Sequence, residues 1–336
     1  MRALCSLILL AGVGCVHSYA KEPALEFSAI QYTALDGSAW PVTRLALPKA
    51  GAKYNLAEQN HVAYVELNPA GPRTVLFLHG LGSYSKFWRE QLNVFAAAGY
   101  RVLAMDQLGF GKSDKPAQFS YTMESMAETA AEFLDAVNAP HAVVVGHSMG
   151  GEVALAMALR FPEQVEALVL TSPAGFEKFS PKEKAWFQKV FSTTLVKSTS
   201  EYAIWGSVRG NNFRRWRPEL EWLIEERVRL AKGEQFDAYA YAQVRAVDGL
   251  THNDFVRDSL EKIHAPTLIV FGEDDRLIPN PFLHGGLARS VMRQGAKRIQ
   301  GAKLEGLSGC GHTVQMDCPS EYNSKVLEFV GGLPAK

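Results

Sequence analysis

The hydrophobic positions of this chain fall into short, almost wholly apolar runs, with longer segments of helical spacing between them. Five such runs occupy residues 74–78, 101–105, 142–145, 167–170 and 267–271. Strands that are buried on both faces of a parallel sheet have this pattern. Helical spacing of the apolar positions is found between the first four runs, at residues 85–98, 122–138 and 149–161. Strand and helix in regular alternation predict right-handed βαβ units and an α/β fold.

The first part of the chain has a different pattern, in which single apolar and polar residues alternate. This alternation covers residues 27–47 and 61–67, with a turn signal at Asp36-Gly37. A period of two is typical of strands with one buried face. We therefore predict strands in both segments, with the first pair joined at Asp36-Gly37.

A long segment in the second half of the chain lacks any comparable strand signal. In residues 176–262, Ser180 and Glu183 form a capping-box pattern, and Pro218 begins a further helical pattern. The sheet pattern resumes only after this segment. We predict that it is a helical cap inserted into the α/β core, which divides the core into residues 21–175 and 263–336.

The composition excludes several classes of protein. The 336 residues carry 35 Lys and Arg against 35 Asp and Glu, which argues against a partner bound through electrostatics, such as a nucleic acid. A hydrophobic fraction of 47% and a charged fraction of 21% are typical of a globular chain and not of a disordered one. Four cysteines are too few for a disulfide scaffold of this length.

The first twenty residues have the pattern of a secretory signal peptide. Arg2 supplies the positive start, residues 4–16 are apolar and uncharged, and Ser18 and Ala20 are small residues at the −3 and −1 positions of a cleavage site. The apolar run is short for a membrane span, which takes about 20 residues. We predict that residues 1–20 are removed, and that the mature chain is exported to the periplasm or the medium with no stable membrane span.

Two other interpretations of the N-terminus remain open. One is an anchor that is not cleaved. The other is a lipoprotein site at Cys15, which Gly12 disfavours because such sites usually carry Leu at that position.

Removal of the signal would leave two cysteines, Cys310 and Cys318. An oxidising compartment permits them to pair, and the bridge would close a nine-residue loop around His312. The alternative is two separate thiols, because spacing in the sequence does not fix the distance between them.

The strongest candidate for chemistry is the segment GHSMGG at 146–151, directly after the third apolar run. A sharp turn from strand to helix forces its serine into a conformation that only small neighbours tolerate, which explains the flanking glycines. The turn would present the Ser148 hydroxyl at the carboxyl edge of the sheet, near the positive end of the next helix. The alternative is a structural serine in a tight turn. We predict that Ser148 is a nucleophile.

A serine nucleophile needs a base, and the base needs an acid that orients it. His312 lies in a glycine-rich loop near the C-terminus. The fifth apolar run ends in GEDDRLIP, where three acids compete, and the spacing to Pro279 favours Asp275 over Asp274. An acid at the end of this strand would emerge at the same edge of the sheet as Ser148.

The first apolar run leads into HGLG at 79–82, whose glycines would let the backbone approach a substrate carbonyl. The N–H groups of Leu81 and Met149 would then form an oxyanion hole. We expect His79 and His147 to support this site through hydrogen bonds and not to transfer protons.

These motifs resemble those of the α/β-hydrolase fold superfamily, in the branch with a helical cap. The resemblance extends from about residue 60 to 332 and rests on five motifs in the same order: HGLG at 79–82, DQLGFGKS at 106–113, GHSMGG at 146–151, GEDDRLIP at 272–279 and GHTVQMDCP at 311–319. It implies a mostly parallel central sheet flanked by helices. Asp106, in the second motif, is expected to be a turn residue because it precedes the serine and leads into a glycine-rich loop.

The resemblance also assigns roles to single residues. The family pattern places its nucleophile at Ser148, its acid at Asp275, its base at His312 and its oxyanion amides at Leu81 and Met149. A serine nucleophile argues against family members that use aspartate, such as haloalkane dehalogenases and epoxide hydrolases.

The expected activity is that of an exported serine hydrolase that cleaves a small carboxylic ester through an acyl-enzyme, without a cofactor. No histidines have the spacing of a zinc site, so no metal is expected. Alternatives on the same machinery are hydrolysis of amides, lactones or carbon–carbon bonds, and acyl transfer. His147 stands where relatives that cleave carbon–carbon bonds of ring-fission products often have Asn. The alternative from another class is a ligand-binding protein that has lost turnover.

Two groups of cap residues have more than one interpretation. The tryptophans of the cap either line the site over Ser148 or form the cap's own core: Trp186, Trp205, Trp216 and Trp222. A cluster of arginines either meets an acidic substrate or is a solvated face: Arg209, Arg214, Arg215 and Arg217.

Overall fold

A computed structural model gives the fold and describes residues 18–252 and 254–334. Most of the predicted signal peptide, residues 1–17, lies outside the described residues.

The core of the described chain is an eight-stranded sheet with the order β1-β2-β4-β3-β5-β6-β7-β8. The strands are β1 (Val42–Ala46), β2 (His61–Leu67), β3 (Thr74–Leu78), β4 (Arg101–Asp106), β5 (Ala142–His147), β6 (Val165–Thr171), β7 (Thr267–Gly272) and β8 (Lys303–Leu307). β2 is antiparallel to both of its neighbours, and the other pairs are parallel. The five apolar runs form β3 to β7, so the predicted mostly parallel α/β sheet is confirmed.

Helices flank this sheet and also form the segment between β6 and β7. They are α1 (Pro48–Tyr54), α2 (Leu92–Ala97), α3 (Met123–Ala136), α4 (Met149–Arg160), α5 (Pro181–Val190), α6 (Thr193–Ser198), α7 (Glu201–Ser207), α8 (Trp222–Leu230), α9 (Phe236–His252), α10 (Asp254–Asp258), α11 (Ala288–Arg298), α12 (Val314–Asp317) and α13 (Pro319–Gly331). α3 and α4 pack against each other, and α4 also packs on β5 and β6. These two helices lie within the segments 122–138 and 149–161, where the sequence predicts helices, so both predictions are confirmed.

The described residues of 176–262 contain α5 to α10 and short helical turns, and no strand. α5 begins with the predicted capping box, in which Ser180 and Glu183 exchange both hydrogen bonds. This segment leaves the sheet at the carboxyl end of β6, the edge at which Ser148 also lies. We refer to residues 176–262 as the cap.

Two local predictions are confirmed only in part. The alternation within 27–41 does not form a strand pair, since only an isolated bridge joins Thr33 to Ala39 around the turn. Tyr32 and Ala34 are buried, and each forms one backbone hydrogen bond across the Asp36-Gly37 turn, with Trp40 and Ser38, so the predicted turn is present but the pairing is too short to form strands. The helix predicted at 85–98 is a 3₁₀ turn, Ser85–Trp88, followed by α2. Asp106 accepts hydrogen bonds from the N–H and hydroxyl of Ser85, which fixes this turn.

The strand β8 has no counterpart in the sequence prediction. It is an edge strand whose residues are mostly half-buried or exposed, so its sequence lacks an apolar run.

A buried ion pair joins the cap to the core. Lys86 pairs with Glu226 of α8, and the Tyr84 hydroxyl donates to the same carboxylate. The Lys86 ammonium also lies 4.4 Å from the ring centre of Trp222. Burial raises the pKa of Glu226. Desolvation of this carboxylate is thus compensated by two donors from the core.

Glu226→Ala should destabilise the protein by about 3–5 kcal/mol, because it leaves a buried ammonium without its partner. Urea unfolding followed by circular dichroism measures this loss. The matched control is Glu225→Ala on the same helix, which removes a more exposed i,i+4 pair with Arg229 and should cost less than about 1 kcal/mol. Equal losses in the two variants would contradict the expectation.

Candidate active site

The turn that carries Ser148 joins β5 directly to α4. Ser148 has φ +52° and ψ −116°, a backbone conformation that a residue with a side chain rarely adopts. A Cβ atom at Gly146 would lie 2.2 Å from the carbonyl oxygen of Gly150, and one at Gly150 would lie 2.3 Å from that of Leu78. The glycines therefore allow the close approach of strand, turn and helix that this conformation requires.

His312 and Asp275 are in direct contact. The Nδ1 atom of His312 lies 2.8 Å from Oδ2 of Asp275, and the two side chains are 5% and 0% exposed. The other oxygen of Asp275 accepts hydrogen bonds from the N–H groups of Leu277 and Ile278, at 2.8 and 3.1 Å. Asp274 is exposed. Of these two adjacent acids, the structure thus brings Asp275 to the histidine.

Ser148 and His312 line the same cavity, of about 430 Å³. Its walls are largely apolar side chains of the core and the cap: Leu81, Phe87, Phe179, Phe187, Phe191, Val247 and Leu250. An Nδ1–H that donates to Asp275 leaves Nε2 of His312 as the atom that accepts a proton. The arrangement can therefore activate a hydroxyl inside a mostly apolar pocket.

The two amides predicted as an oxyanion hole are unpaired. Within the described ranges, neither the N–H of Leu81 nor that of Met149 has a hydrogen-bond acceptor. The N–H of Met149 is the first of α4, where the helix dipole favours negative charge. A Cβ atom at Gly80 would lie 3.3 Å from Cβ of Ser148, so the loop before Leu81 packs directly on Ser148.

Two buried histidines hold the loops of the site. His147 lies with its Nε2 3.1 Å from the carbonyl oxygen of His312, and because a carbonyl only accepts, the ring proton is on Nε2. Burial lowers the pKa of His147 well below its usual value, so the ring is neutral. In the same way His79 contacts the carbonyl oxygen of Gly80 at 2.8 Å, and burial lowers its pKa. Both make supporting contacts of the kind expected.

Asp106 does more than end a turn. It is fully buried and accepts hydrogen bonds from Tyr32, Ser85 and the backbone of Lys112. It therefore fixes the loop that follows β4 against the core.

A disulfide joins Cys310 to Cys318, with 6.1 Å between the Cα atoms, and encloses His312. The buried carboxylate of Asp317 lies within the same loop. It accepts hydrogen bonds from the N–H of Gly311 at 2.7 Å and from those of Arg214 and Arg215 at 2.7 and 2.6 Å. The loop that carries His312 is thus held by its own disulfide and by hydrogen bonds to the cap. Sequence reasoning missed the contribution of Asp317.

Reduction of the disulfide should destabilise the protein by roughly 2.5 kcal/mol, the chain-entropy value for a nine-residue loop. It should also lower the rate of any reaction that uses His312, because the loop then loses one of the links that hold it. Thermal unfolding and turnover of the Cys310→Ser/Cys318→Ser variant, with and without reductant, measure both effects. A variant that equals the wild type in stability and rate would contradict the prediction.

Sequence reasoning also missed the acids of the cavity. Glu152, Glu177 and Asp254 line it, together with Arg257. Asp254 pairs with Arg257 at 2.8 Å, and Glu177 pairs with His284 at 2.7 Å. Asp254 also pairs with Lys184 at 2.5 Å. Three carboxylates and one guanidinium group line this part of the cavity. Glu152 lies one helical turn after Ser148 in the sequence, and this spacing could have indicated that it faces the same cavity.

A second cavity, of about 460 Å³, adjoins the first and shares the walls formed by Leu81, Phe87, Phe191 and Thr313. Further apolar side chains line it: Leu195, Val196, Ile204, Val208, Leu223 and Leu230. Arg227 also lines it, and donates to the carbonyl oxygen of Val196.

The tryptophans of the cap line neither cavity. Trp205 and Trp216 pack on each other, with ring centres 5.8 Å apart, and Trp222 packs on Phe87. Of their two interpretations, the structure supports packing within the cap and against the core.

Among residues 18–252 and 254–334, no cluster of three His, Cys, Asp or Glu could hold a metal. No helix within the same ranges has the length and hydrophobicity to cross a bilayer.

The fold and this geometry define an α/β hydrolase, and comparison with known proteins agrees. Residues 73–319 match the model of the alpha/beta hydrolase fold family, and the chain belongs to that family. It is 30% identical over 296 residues to a 2-hydroxy-6-oxononadienedioate/2-hydroxy-6-oxononatrienedioate hydrolase of Burkholderia vietnamiensis, which covers 84% of this chain and 96% of the relative.

Two solved structures are also similar to the chain. One is a probable hydrolytic enzyme from Pseudomonas aeruginosa PAO1, with 27% identity, a TM-score of 0.78 and coverage of 93% of this chain and 99% of that one. The other is a bacterial membrane phospholipase A, with 28% identity, a TM-score of 0.63 and coverage of 81% and 83%.

Proposed function

We propose that the protein is a serine hydrolase that cleaves carboxylic esters with an apolar acyl group, through an acyl-enzyme on Ser148. The observation that carries this proposal is the contact between His312 and Asp275 at the wall of a cavity that Ser148 also lines. A hydroxyl, a base oriented by a buried acid, and two unpaired amides are the parts that acyl transfer needs.

In the proposed reaction, the Ser148 hydroxyl attacks the ester carbonyl and passes its proton to Nε2 of His312. The amides of Leu81 and Met149 bind the oxyanion of the tetrahedral intermediate. His312 then gives the proton to the leaving alcohol, and the C–O bond breaks. Water, deprotonated by the same nitrogen, releases the acid and restores Ser148. Asp275 stays ionised and stabilises the imidazolium that forms in each half.

The choice of an ester with an apolar acyl group rests on the cavities. The second cavity offers apolar walls beside the oxyanion loop, where an acyl chain would be shielded from water. The acids of the first cavity favour a neutral or cationic group there over a carboxylate. Similarity to a membrane phospholipase A is consistent with this class of substrate.

A second candidate is hydrolysis of a carbon–carbon bond in an oxo-acid, and Arg227 favours it. Within the described residues this guanidinium has no carboxylate partner, and it lines the second cavity, where it could bind a substrate carboxylate. A dioate would still place a second carboxylate toward Glu152 and Glu177. That repulsion, together with His147 in place of Asn, makes it the second choice.

The test begins with a fluorophosphonate and intact-mass detection, on the wild type and on Ser148→Ala. A single adduct on the wild type alone is expected. A panel then compares p-nitrophenyl esters of increasing acyl length with matched amides and with 2-hydroxy-6-oxononadienedioate. A larger kcat/KM for esters supports the proposal. A larger value for the dioate would transfer it to the second candidate, and a well-folded wild type without an adduct would sink both.

We also propose that the protein is exported. The buried Cys310–Cys318 bridge supports this, because disulfides persist mainly in oxidising compartments. Fractionation of the source cells, with the mass of the mature N-terminus, tests export and cleavage after Ala20 together. Two free thiols in protein from the cytoplasmic fraction would contradict the proposal.

A further inference from the structure

A basic cavity that the proposed reaction does not use lies between the cap and the loop after β7. It measures about 900 Å³ and is lined by four arginines and three large aromatic side chains that contain a polar atom: Arg209, Arg214, Arg215, Arg276, Tyr202, Trp205 and Trp216. No Asp or Glu belongs to its lining. We refer to it as the arginine cavity.

The charge of this cavity is not compensated within the described chain. Arg215 donates to the carbonyl oxygens of Gly309 and Ser308, and Arg276 donates to that of Gly210. Carbonyl acceptors orient these guanidinium groups but leave their full positive charge. Within residues 18–252 and 254–334, none of the four arginines forms an ion pair with a carboxylate. Four like charges around one cavity favour the binding of anions.

The aromatic residues make this a surface suited to an interface between water and lipid. Tyr202 is 88% exposed, which is unusual for a large aromatic side chain. Trp205 and Trp216 are half-buried beside it. Aromatic rings with a polar atom concentrate at the headgroup level of membranes, where one end is apolar and the other is wet.

The N-terminal part of the described chain docks at the same face. The hydroxyl of Ser18 and the N–H groups of Tyr19 and Ala20 all donate to Glu201, the residue before Tyr202. The ring of Tyr19 packs in the hydrophobic cluster that includes Trp205 and Trp216. Ser18, the first described residue, therefore lies beside the arginine cavity.

We propose that the arginine cavity docks the cap on a membrane surface rich in anionic phospholipid. A phosphate group matches the planar donors of arginine, which bind it in a bidentate manner. Ser18, where the described residues begin, lies on the same face as the arginine cavity, so the cap and not the sheet meets the lipid.

The experiment is flotation of the full chain with vesicles of pure phosphatidylcholine and with vesicles that contain one third phosphatidylglycerol. The ratio of the two partition constants isolates the headgroup charge, because insertion of an apolar segment contributes to both. Each arginine near an anionic surface contributes roughly fivefold. Arg209→Gln/Arg214→Gln/Arg276→Gln should therefore lower this ratio by about 100-fold.

The matched control removes three exposed cations that do not line the arginine cavity, in Arg293→Gln/Lys297→Gln/Lys303→Gln. It should leave the ratio within about threefold of the wild type. A second measurement needs no variant: 1 M salt shortens the screening length from about 10 to 3 Å and should abolish the preference of the wild type.

Three results would overturn the proposal. They are equal partition of the wild type into both kinds of vesicle, an equal loss in the control variant, and a preference that survives 1 M salt. Calorimetric titration with inorganic phosphate tests the other ligand that these arginines could bind, a free phosphate ion. Binding of phosphate to the wild type, with no preference for phosphatidylglycerol, would make the cavity a site for a free anion instead.

Discussion

Replacing Ser148 by alanine should lower kcat for a p-nitrophenyl ester by about 10⁵- to 10⁶-fold. The expectation follows from the roles of the parts: without a nucleophile the base has nothing to activate, and only the oxyanion amides and substrate binding remain. In serine hydrolases with a triad, loss of the nucleophile alone costs about as much as loss of all three residues. Steady-state turnover and fluorophosphonate labelling of the same samples measure the loss.

The backbone of Ser148 supplies an independent control. At φ +52° an alanine retains the strain of the wild-type turn, whereas a glycine relieves it. Ser148→Gly should therefore be as inactive as Ser148→Ala, yet more stable than it by about 1 kcal/mol. An alanine variant that keeps more than about 1% of the wild-type rate would mean that another group performs the attack.

The sequence predicts those parts of the site where the backbone geometry restricts which residue types can occupy a position. A strand that is buried on both faces must be apolar, which is why β3, β5 and β7 were visible as uninterrupted runs. The turn around Ser148 demands glycine at 146 and 150, since any Cβ atom there would collide with a carbonyl oxygen. Such steric requirements leave a short and specific pattern.

The remainder depends on contacts between distant segments, which no local pattern encodes. Asp317 satisfies amides of the cap some 100 positions earlier in the chain, and its own surroundings in the sequence do not indicate those partners. Tryptophan can line a pocket or form a core, so the sequence could not distinguish these two roles for the tryptophans of the cap. Their packing in the structure does. The alternation before β1 likewise predicted longer strands than the short pairing across the Asp36-Gly37 turn.

Replacing Asp275 by asparagine should lower kcat by about 10⁴-fold with little change in fold. Oδ1 of Asp275 accepts two N–H groups, those of Leu277 and Ile278, so an asparagine there must keep its carbonyl oxygen at that position. Its NH₂ group then faces Nδ1 of His312, which lies 2.8 Å from the present Oδ2. The ring nitrogen must now accept, and the proton moves to Nε2.

A histidine that carries its proton on Nε2 has no lone pair for the Ser148 hydroxyl, which is why the same exchange in another triad costs about four orders of magnitude. Asp274→Asn is the matched control. It makes the same exchange of a carboxylate for an amide at the adjacent, exposed acid, and should alter kcat less than twofold. If the Asp274 variant lost the activity while the Asp275 variant kept it, the acid that orients His312 during turnover would be Asp274. The loop after β7 would then have to move before the reaction, since its present conformation gives that role to Asp275.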